Sequence, residues 1–190
     1  ANALENEPKL QEYCSRLAYQ WQKENLSDEK QFVLHDGPPY ANGSLHMGHA
    51  LNKILKDIIN RYKLLRGYKI NYIPGWDCHG LPIELKAINH SLSEKISPVE
   101  IRQIARDFAQ KTIEKQKTDF IRWGVMGDWD TYYTTMDKEF EARQLEIFMS
   151  MYTSGCIYRG LRPVYWSPSS KTALAEAELE YPDVHISKSV

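Results

Sequence analysis

Apolar residues recur along this chain in two periods, and the change from one to the other marks out its elements. Leu10, Tyr13, Cys14, Leu17 and Trp21 step by three and four through residues 9–23, which predicts a leading amphipathic helix. The polar run Asn25 to Lys30 is its connector. Gln31-Phe-Val-Leu-His35 is a short apolar run stopped by Asp36-Gly-Pro-Pro39, the pattern of a buried strand entering a turn. Leu51, Ile54, Leu55, Ile58, Ile59, Tyr62 and Leu65 then return to helical spacing, with Gly67 as the stop. Lys69-Ile-Asn-Tyr-Ile73 is a second strand, ended by Pro74-Gly75. Strand, long helix and strand make a right-handed crossover between parallel strands, so the segment before the helix lies at the carboxyl end of the first strand.

Farther along, Ser97-Pro-Val-Glu100 is a capping box with proline at the first helical position. It opens a helix running to Trp123 whose Ile101, Ile104, Phe108, Ile113 and Phe120 are expected to face inward. Phe140, Leu145, Phe148, Met149 and Tyr152 predict another helix, capped by Asp137 and stopped by Gly155. Cys156 to Arg159 and Arg162 to Trp166 read as two short strands, and Trp76 and Trp166 as core residues. The expected class is α/β, a parallel sheet with crossover helices preceded by a helical extension. No repeat or low-complexity tract interrupts it.

Composition narrows the partners. With 190 residues, 42% of them apolar and 12% aromatic, there is enough material for one domain with a sizeable core. Twenty-four basic against 25 acidic residues leave a net charge of -1, so a nucleic acid would need a local patch or parts outside these residues. Cys14, Cys78 and Cys156 are far apart and form no Cys-x-x-Cys, which argues against a disulfide framework or zinc site and fits a reducing compartment. There is no apolar run of membrane-spanning length, and the start ANALENEPKL lacks the regions of a signal peptide. A soluble, intracellular protein is expected.

The chemistry concentrates in HDGPPYANGSLHMGH, His35 to His49. Gly37, Gly43 and Gly48 permit close backbone approach, while Pro38 and Pro39 stiffen one wall. His46 and His49 stand three apart where the long helix begins, so both can lie on one side of its amino end. That end offers unpaired N–H groups and partial positive charge, which suits a phosphate, and two imidazoles beside it can donate to oxygens that gain charge during displacement. Gly48 leaves bare backbone for an adenine or ribose. The same residues also suit a glycine–proline loop whose histidines cap and pack. No third ligand supports a metal at His46 and His49, since Cys78 and His79 lie one crossover away.

PPYANGSLHMGH resembles the His-x-Gly-His signature of class I aminoacyl-tRNA synthetases, with Met47 in the variable place. Pro74-Gly-Trp-Asp-Cys-His-Gly-Leu-Pro-Ile-Glu84 is similar to the second block of that family's isoleucyl group, and Trp166-Ser-Pro-Ser-Ser-Lys-Thr-Ala-Leu-Ala-Glu-Ala-Glu-Leu-Glu-Tyr181 to a third. The resemblance implies a Rossmann-like catalytic domain that condenses isoleucine with ATP, brought in with Mg2+, to isoleucyl-adenylate, then passes the acyl group to tRNA(Ile). It implies that His46 and His49 serve the phosphates, that Asn42, Gly43, Gly48 and Asn52 line the ATP side, that Asp77 takes the amino group of isoleucine, and that Pro38 and Tyr40 wall its side chain. For Asp77 a strand-end acid capping a turn is the other reading.

The family also needs a Lys-Met-Ser-Lys-Ser loop. His185-Ile-Ser-Lys-Ser189 lacks the first lysine and directly follows the third block, so residues 187–190 are expected to start the strand leading into an editing insertion. The implied organisation is a helical extension over 1–30, the first half of the catalytic domain over 31–181 and the start of the insertion over 182–190, all within a longer, monomeric enzyme that meets tRNA mostly through other parts. The blocks look bacterial or mitochondrial, with the mitochondrial matrix favoured over a bacterial cytoplasm. Competing readings are a valyl or leucyl relative, another nucleotidylyl transferase, and a nucleotide-binding or assembly module without turnover.

Overall fold

The computed structural model describes residues 2–88, 96–184 and 186, in two units, Ala1–Leu145 and Glu146–Val190. The segment 185–189 and the strand expected over 187–190 lie outside the described residues, apart from Ile186.

In the first unit, α1 (Ala3–Gln11) and α2 (Ala18–Asn25) are joined without a break by a π-helical stretch, Glu12–Leu17. Its wider turn redirects groups that an α-helix would use internally. Arg61 reaches in from the next helix, donating to Cys14 O at 2.8 Å, Ser15 Oγ at 3.0 Å and Gly124 O at 2.8 Å, with its Nε on Asp57 at 2.6 Å. The leading helix is therefore bound into the fold.

Three extended segments run parallel. β1 (Gln31–Val33) pairs with β2 (Lys69–Asn71) in the register Phe32↔Ile70, and β3 (Gly75–Trp76) pairs with β4 (Tyr133–Thr134) in the register Trp76↔Thr134. An isolated bridge joins Tyr40 to Asp77. Asn71 O and the Asp77 backbone bond toward the β1 side, whereas Pro74 O and Trp76 O bond toward β4, as alternation along a strand requires. Residues 69–77 thus form the middle of the arrangement. Where β4 has not begun, side chains satisfy the outer edge of β2: Gln22 Oε1 accepts from Ile70 N at 2.7 Å and its Nε2 donates to Ile70 O at 3.0 Å, while Tyr19 OH meets the backbone of Tyr72.

The helices α3 (Met47–Leu65), α5 (Pro98–Arg122) and α6 (Lys138–Thr153) follow the predicted order, α4 (Leu81–Ala87) is a short helix that the spacing did not predict, and Ser97 with Glu100 closes the expected capping box. Trp76, Ala109, Ile113, Phe120 and Met136 make one core cluster, and Tyr19, Ile70, Tyr72, Val125 and Met126 another. Trp123 and Trp129 pack against both.

Several expectations are corrected. β1 is not a buried strand, because Gln31 and Val33 are exposed in a sheet with one short partner. Ile104 is exposed, as it sits off the face carrying Ala109, Ile113 and Phe120. The spacing predicted the helix α3 without naming what its apolar stripe meets, and that stripe does not face this chain's core: Leu51, Ile54, Leu55, Ile58, Ile59, Tyr62 and Leu65 are 41–86% exposed. The helix instead buries Ala50, Lys53 and Asn60. In the second unit, residues 156–164 contain no strand, and β5 (Tyr165–Ser167) pairs antiparallel with β6 (Thr172–Leu174) across a turn. Trp166 is 58% exposed there, since one hairpin supplies no second layer to bury it.

The polar side of α3 is held by a buried charge cluster. The Asp36 carboxylate, 4% exposed, accepts from Lys53 and Lys56 and from Tyr72 OH at 2.9 Å. Burial alone would push this carboxyl up, but Lys53 and the hydrogen bonds from Lys53, Lys56 and Tyr72 hold it below the usual carboxylate range. Its contribution to stability is thus present above the unfolded pKa of about 4 and lost as pH falls through the lower folded value. Asp36→Asn is expected to destabilise by about 3 kcal/mol at neutral pH, because one buried partner is removed. Urea unfolding at pH 7 and pH 3 checks this, the difference from wild type shrinking at the lower pH; equal midpoints at pH 7 would show the cluster to be idle.

Candidate functional site

The amino end of α3 is built by its two histidines. His46 is the cap, with extended backbone, and its Nδ1 accepts from Gly48 N at 3.1 Å. His49 Nδ1 accepts in return from His46 N at 3.2 Å, and the rings lie 3.9 Å apart at 47°. With Nδ1 accepting in each, the neutral rings carry their protons on Nε2, and both Nε2–H groups remain as donors. A Cβ at Gly48 would stand 2.8 Å from the His46 ring, so this glycine is required by the cap itself. Burial, then His46 and Lys53, lower the pKa of His49, which favours the neutral ring.

These groups face a cavity of about 350 Å3 lined by Gly37, Pro39, His46, Gly48, His49, Asn52 and Lys53. Two imidazole Nε2–H donors stand there at the positive end of a helix, beside Lys53, whose ammonium is held by Asp36 and Tyr72, and this setting suits a phosphate. Of the sequence-predicted residues, the cavity gathers His46, Gly48, His49 and Asn52. It does not include Asn42, Gly43, Pro38, Tyr40 or Asp77.

Those five belong to a second arm. Asp77 N donates to Pro39 O and Ala41 N donates to Asp77 O, each at 2.9 Å, so the Pro38–Tyr40 wall is fixed to the acid through the backbone. The Asp77 carboxylate is half-buried and accepts from Thr135 Oγ1 at 3.3 Å. Among the described residues no lysine, arginine or histidine forms an ion pair with it, and a carboxylate so placed can receive an ammonium. Beyond Tyr40 the loop is held by side chains: Lys86 donates to Asn42 O at 2.6 Å, and Gln116 to Gly43 O at 2.7 Å. Cys78 beside Asp77 is inert, its thiol donating to Trp76 O and pushed up by burial to about 11.

Lys53, Gln116 and Thr135 escaped the sequence reading. Lys53 was within reach, being one helical turn from His49 on the same face. Gln116 and Thr135 arrive across 73 and 58 residues, with no local signal. A larger hollow, about 650 Å3, lies along α2 and the end of α5 and includes none of the predicted site residues.

Residues 9–190 match the family model described as tRNA synthetases class I (I, L, M and V). The chain is 57% identical over 193 residues to an isoleucine-tRNA ligase of Rippkaea orientalis, covering all of this chain and 20% of that protein. It is 61% identical over 173 residues to a mitochondrial isoleucine-tRNA ligase of Gallus gallus, covering 90% of this chain and 17% of that one. The chain therefore spans about a fifth of the length of these relatives. Among solved structures it is similar to the LeuRS of Agrobacterium radiobacter K84 in a ternary complex with tRNA and LeuAMS, at TM-score 0.64 and 28% identity over 84% of this chain and 20% of that one. The parallel segments, the crossover helix α3 and this likeness make the fold α/β and Rossmann-like. With its paired histidines at the head of that helix and its whole length from residue 9 matched, the chain belongs to the class I tRNA synthetases of the isoleucine, leucine, methionine and valine group.

Proposed function

We propose that the chain is the amino-terminal catalytic part of an isoleucine-tRNA ligase. The observation that carries the reading is the pairing of two arms: His46 and His49 at a phosphate-sized cavity, and the half-buried Asp77, whose backbone is tied to Pro39 and Ala41 of the same loop. In this reading the carboxylate of isoleucine attacks the α-phosphorus of ATP, pyrophosphate leaves, and the Nε2–H groups of His46 and His49 bond phosphoryl oxygens as charge grows. Asn42, Gly43, Gly48 and Asn52 border the ATP, which enters as its Mg2+ complex. Pro38 and Tyr40 wall the isoleucine side chain, and Asp77 receives its ammonium. Transfer to tRNA(Ile) follows, with most tRNA contacts made by other parts of a monomeric enzyme.

Isoleucine is favoured over leucine and valine by the names of the relatives that match at 57% and 61% identity. In the same reading, residues 1–30 are a helical extension, 31–181 the first half of the catalytic domain and 182–190 the start of an insertion. The mitochondrial relative supports the mitochondrial matrix as compartment, and the bacterial one supports a bacterial cytoplasm. The residues encoded upstream of Ala1 decide between them.

ATP–pyrophosphate exchange by the full-length enzyme with each amino acid tests the reading. Isoleucine is expected to be activated best and valine second, since one methylene in an apolar pocket is worth only about 10–200-fold, a limit for which this amino acid pair is the standard example. Exchange driven best by leucine or methionine would overturn it. Asp77→Asn is expected to lower kcat/KM for isoleucine about 30-fold, the equivalent of about 2 kcal/mol for an ammonium that loses its charged partner. An unchanged value would remove Asp77 from the site.

A further inference from the structure

Gln116 is 1% exposed on the inner face of α5, one helical turn before Phe120. Both its amide hydrogens and its oxygen are engaged. Nε2 donates to Tyr40 O at 3.0 Å and to Gly43 O at 2.7 Å, and Oε1 accepts from Trp76 Nε1 at 2.9 Å. The two carbonyls bracket Ala41 and Asn42 in the loop, and the indole belongs to the residue immediately before Asp77.

The backbone ladder joins these segments only as far as Ala41 N, where the loop leaves the sheet. From there the loop needs another tie to keep its distance from the strand. Lys86 on Asn42 O and Lys115 on Ser44 Oγ lie at the exposed rim, where such bonds hold weakly. Gln116, by contrast, is a tie protected from water. Its third partner is immobile as well: the Trp76 indole is completely buried and packs edge-on to Tyr132 at 5.2 Å, with Phe120 and Trp129 each at 6.4 Å. A single planar amide, with its donors on the loop and its acceptor on the strand, fixes one segment against the other.

We infer that Gln116 is a positioning residue that sets the nucleotide-side stretch beyond Ala41, Asn42 and Gly43, at its working distance from Asp77, so that the amino acid and ATP meet in reactive alignment. The inference rests on the function proposed above. It assigns Gln116 no contact with either substrate. It predicts that the residue matters little to each substrate bound alone and much to the two joined, because a shift of about 1 Å between the arms costs on the order of 10²-fold in reaction while leaving each arm intact.

The test uses Gln116→Glu and Gln116→Met in the full-length enzyme. Glutamate keeps the shape and the acceptor for Trp76 Nε1 but loses donors to the two carbonyls; methionine keeps the volume and loses all three bonds. Binding is measured for isoleucine alone, for ATP alone and for a non-reactive sulfamoyl analogue of isoleucyl-adenylate, with exchange rates and melting curves alongside. The expected result for Gln116→Glu is separate affinities within about threefold of wild type, analogue affinity down at least tenfold, and kcat for exchange down by a similar factor. Gln116→Met should show the same pattern more strongly. Retained analogue affinity and exchange in either variant overturns the inference. So does an equal loss for each substrate alone, which would make Gln116 a local support of the loop. If the wild-type enzyme itself shows no isoleucine-dependent exchange, the proposed function is what has failed, and the two outcomes are told apart in one experiment.

Discussion

Replacing His46 or His49 by alanine is expected to slow adenylate formation by about 10²-fold or more while ATP binding changes little. The expectation follows from where the ring protons lie. Both Nδ1 atoms are spent on backbone N–H groups at the head of α3, so each ring presents an Nε2–H whose bond to a phosphoryl oxygen strengthens as that oxygen gains charge. Alanine also removes a cap, at a cost of about 1 kcal/mol in stability. His46→Asn separates the two roles. Asparagine can take the Gly48 N–H as His46 does, but it puts no imidazole donor at the cavity. The asparagine variant should therefore melt near wild type and still be slow. A rate restored by asparagine would reduce His46 to a helix cap, and lost ATP affinity with an intact rate would make the pair binding groups. His49 adds a pH signature. Its pKa lies below the ordinary value of about 6.5, so it stays neutral at pH 7 and charges only on further acidification, which would break its acceptor bond from His46 N. Single-turnover rates followed downward from pH 7 should hold until below that ordinary value, and a fall beginning above it would contradict the neutral ring.

What could be read from the residues in order was local. The three-and-four spacing placed α3 and α5, Ser97 and Glu100 placed a cap to the residue, and the crossover put the histidines at a strand end. What could not be read depends on which distant group arrives. The stripe from Leu51 to Leu65 identified a helix but not its partner, and the structure turns Lys53 and Asn60 inward instead. Helical periodicity reports that a face is apolar, not that this chain covers it. The edge of β2 is finished by Gln22 and Tyr19, residues a pattern reading leaves on a polar helix surface. Gln116 looks like any polar residue of a long helix until Trp76 and the 40–43 loop close on it. At 156–166 the apolar residues suggested strands, yet Tyr158, Leu161 and Val164 are exposed and unpaired with any strand among the described residues. The hairpin that does form depends on the turn between Ser167 and Thr172.

Residues 1–190 prepared alone are expected to associate and to show exchange at least 10²-fold below the full-length enzyme. The apolar side of α3 is the reason for the first part. Seven large side chains along one helix stand 41–86% exposed, and Met47 at its start is 81% exposed. A contiguous patch of that kind drives self-association in water, because burying each such side chain is worth about 1.5–3 kcal/mol. The short, exposed β1 adds an unpaired sheet edge. The second part follows from the charge at the site. The phosphate cavity holds two imidazoles, that of His49 kept from charging by burial, and a Lys53 whose charge is already taken by Asp36, so it has little cationic power left for departing pyrophosphate. Binding of ATP should be weak, and a net charge of -1 gives tRNA no general attraction. Light scattering, ATP titration and pyrophosphate exchange on this piece beside the full-length enzyme check all three. Exchange within tenfold of the full-length enzyme, from a monodisperse monomer, would mean that a sufficient cation is already present within these residues, and would identify His185-Ile-Ser-Lys-Ser189 as the lysine-bearing loop after all.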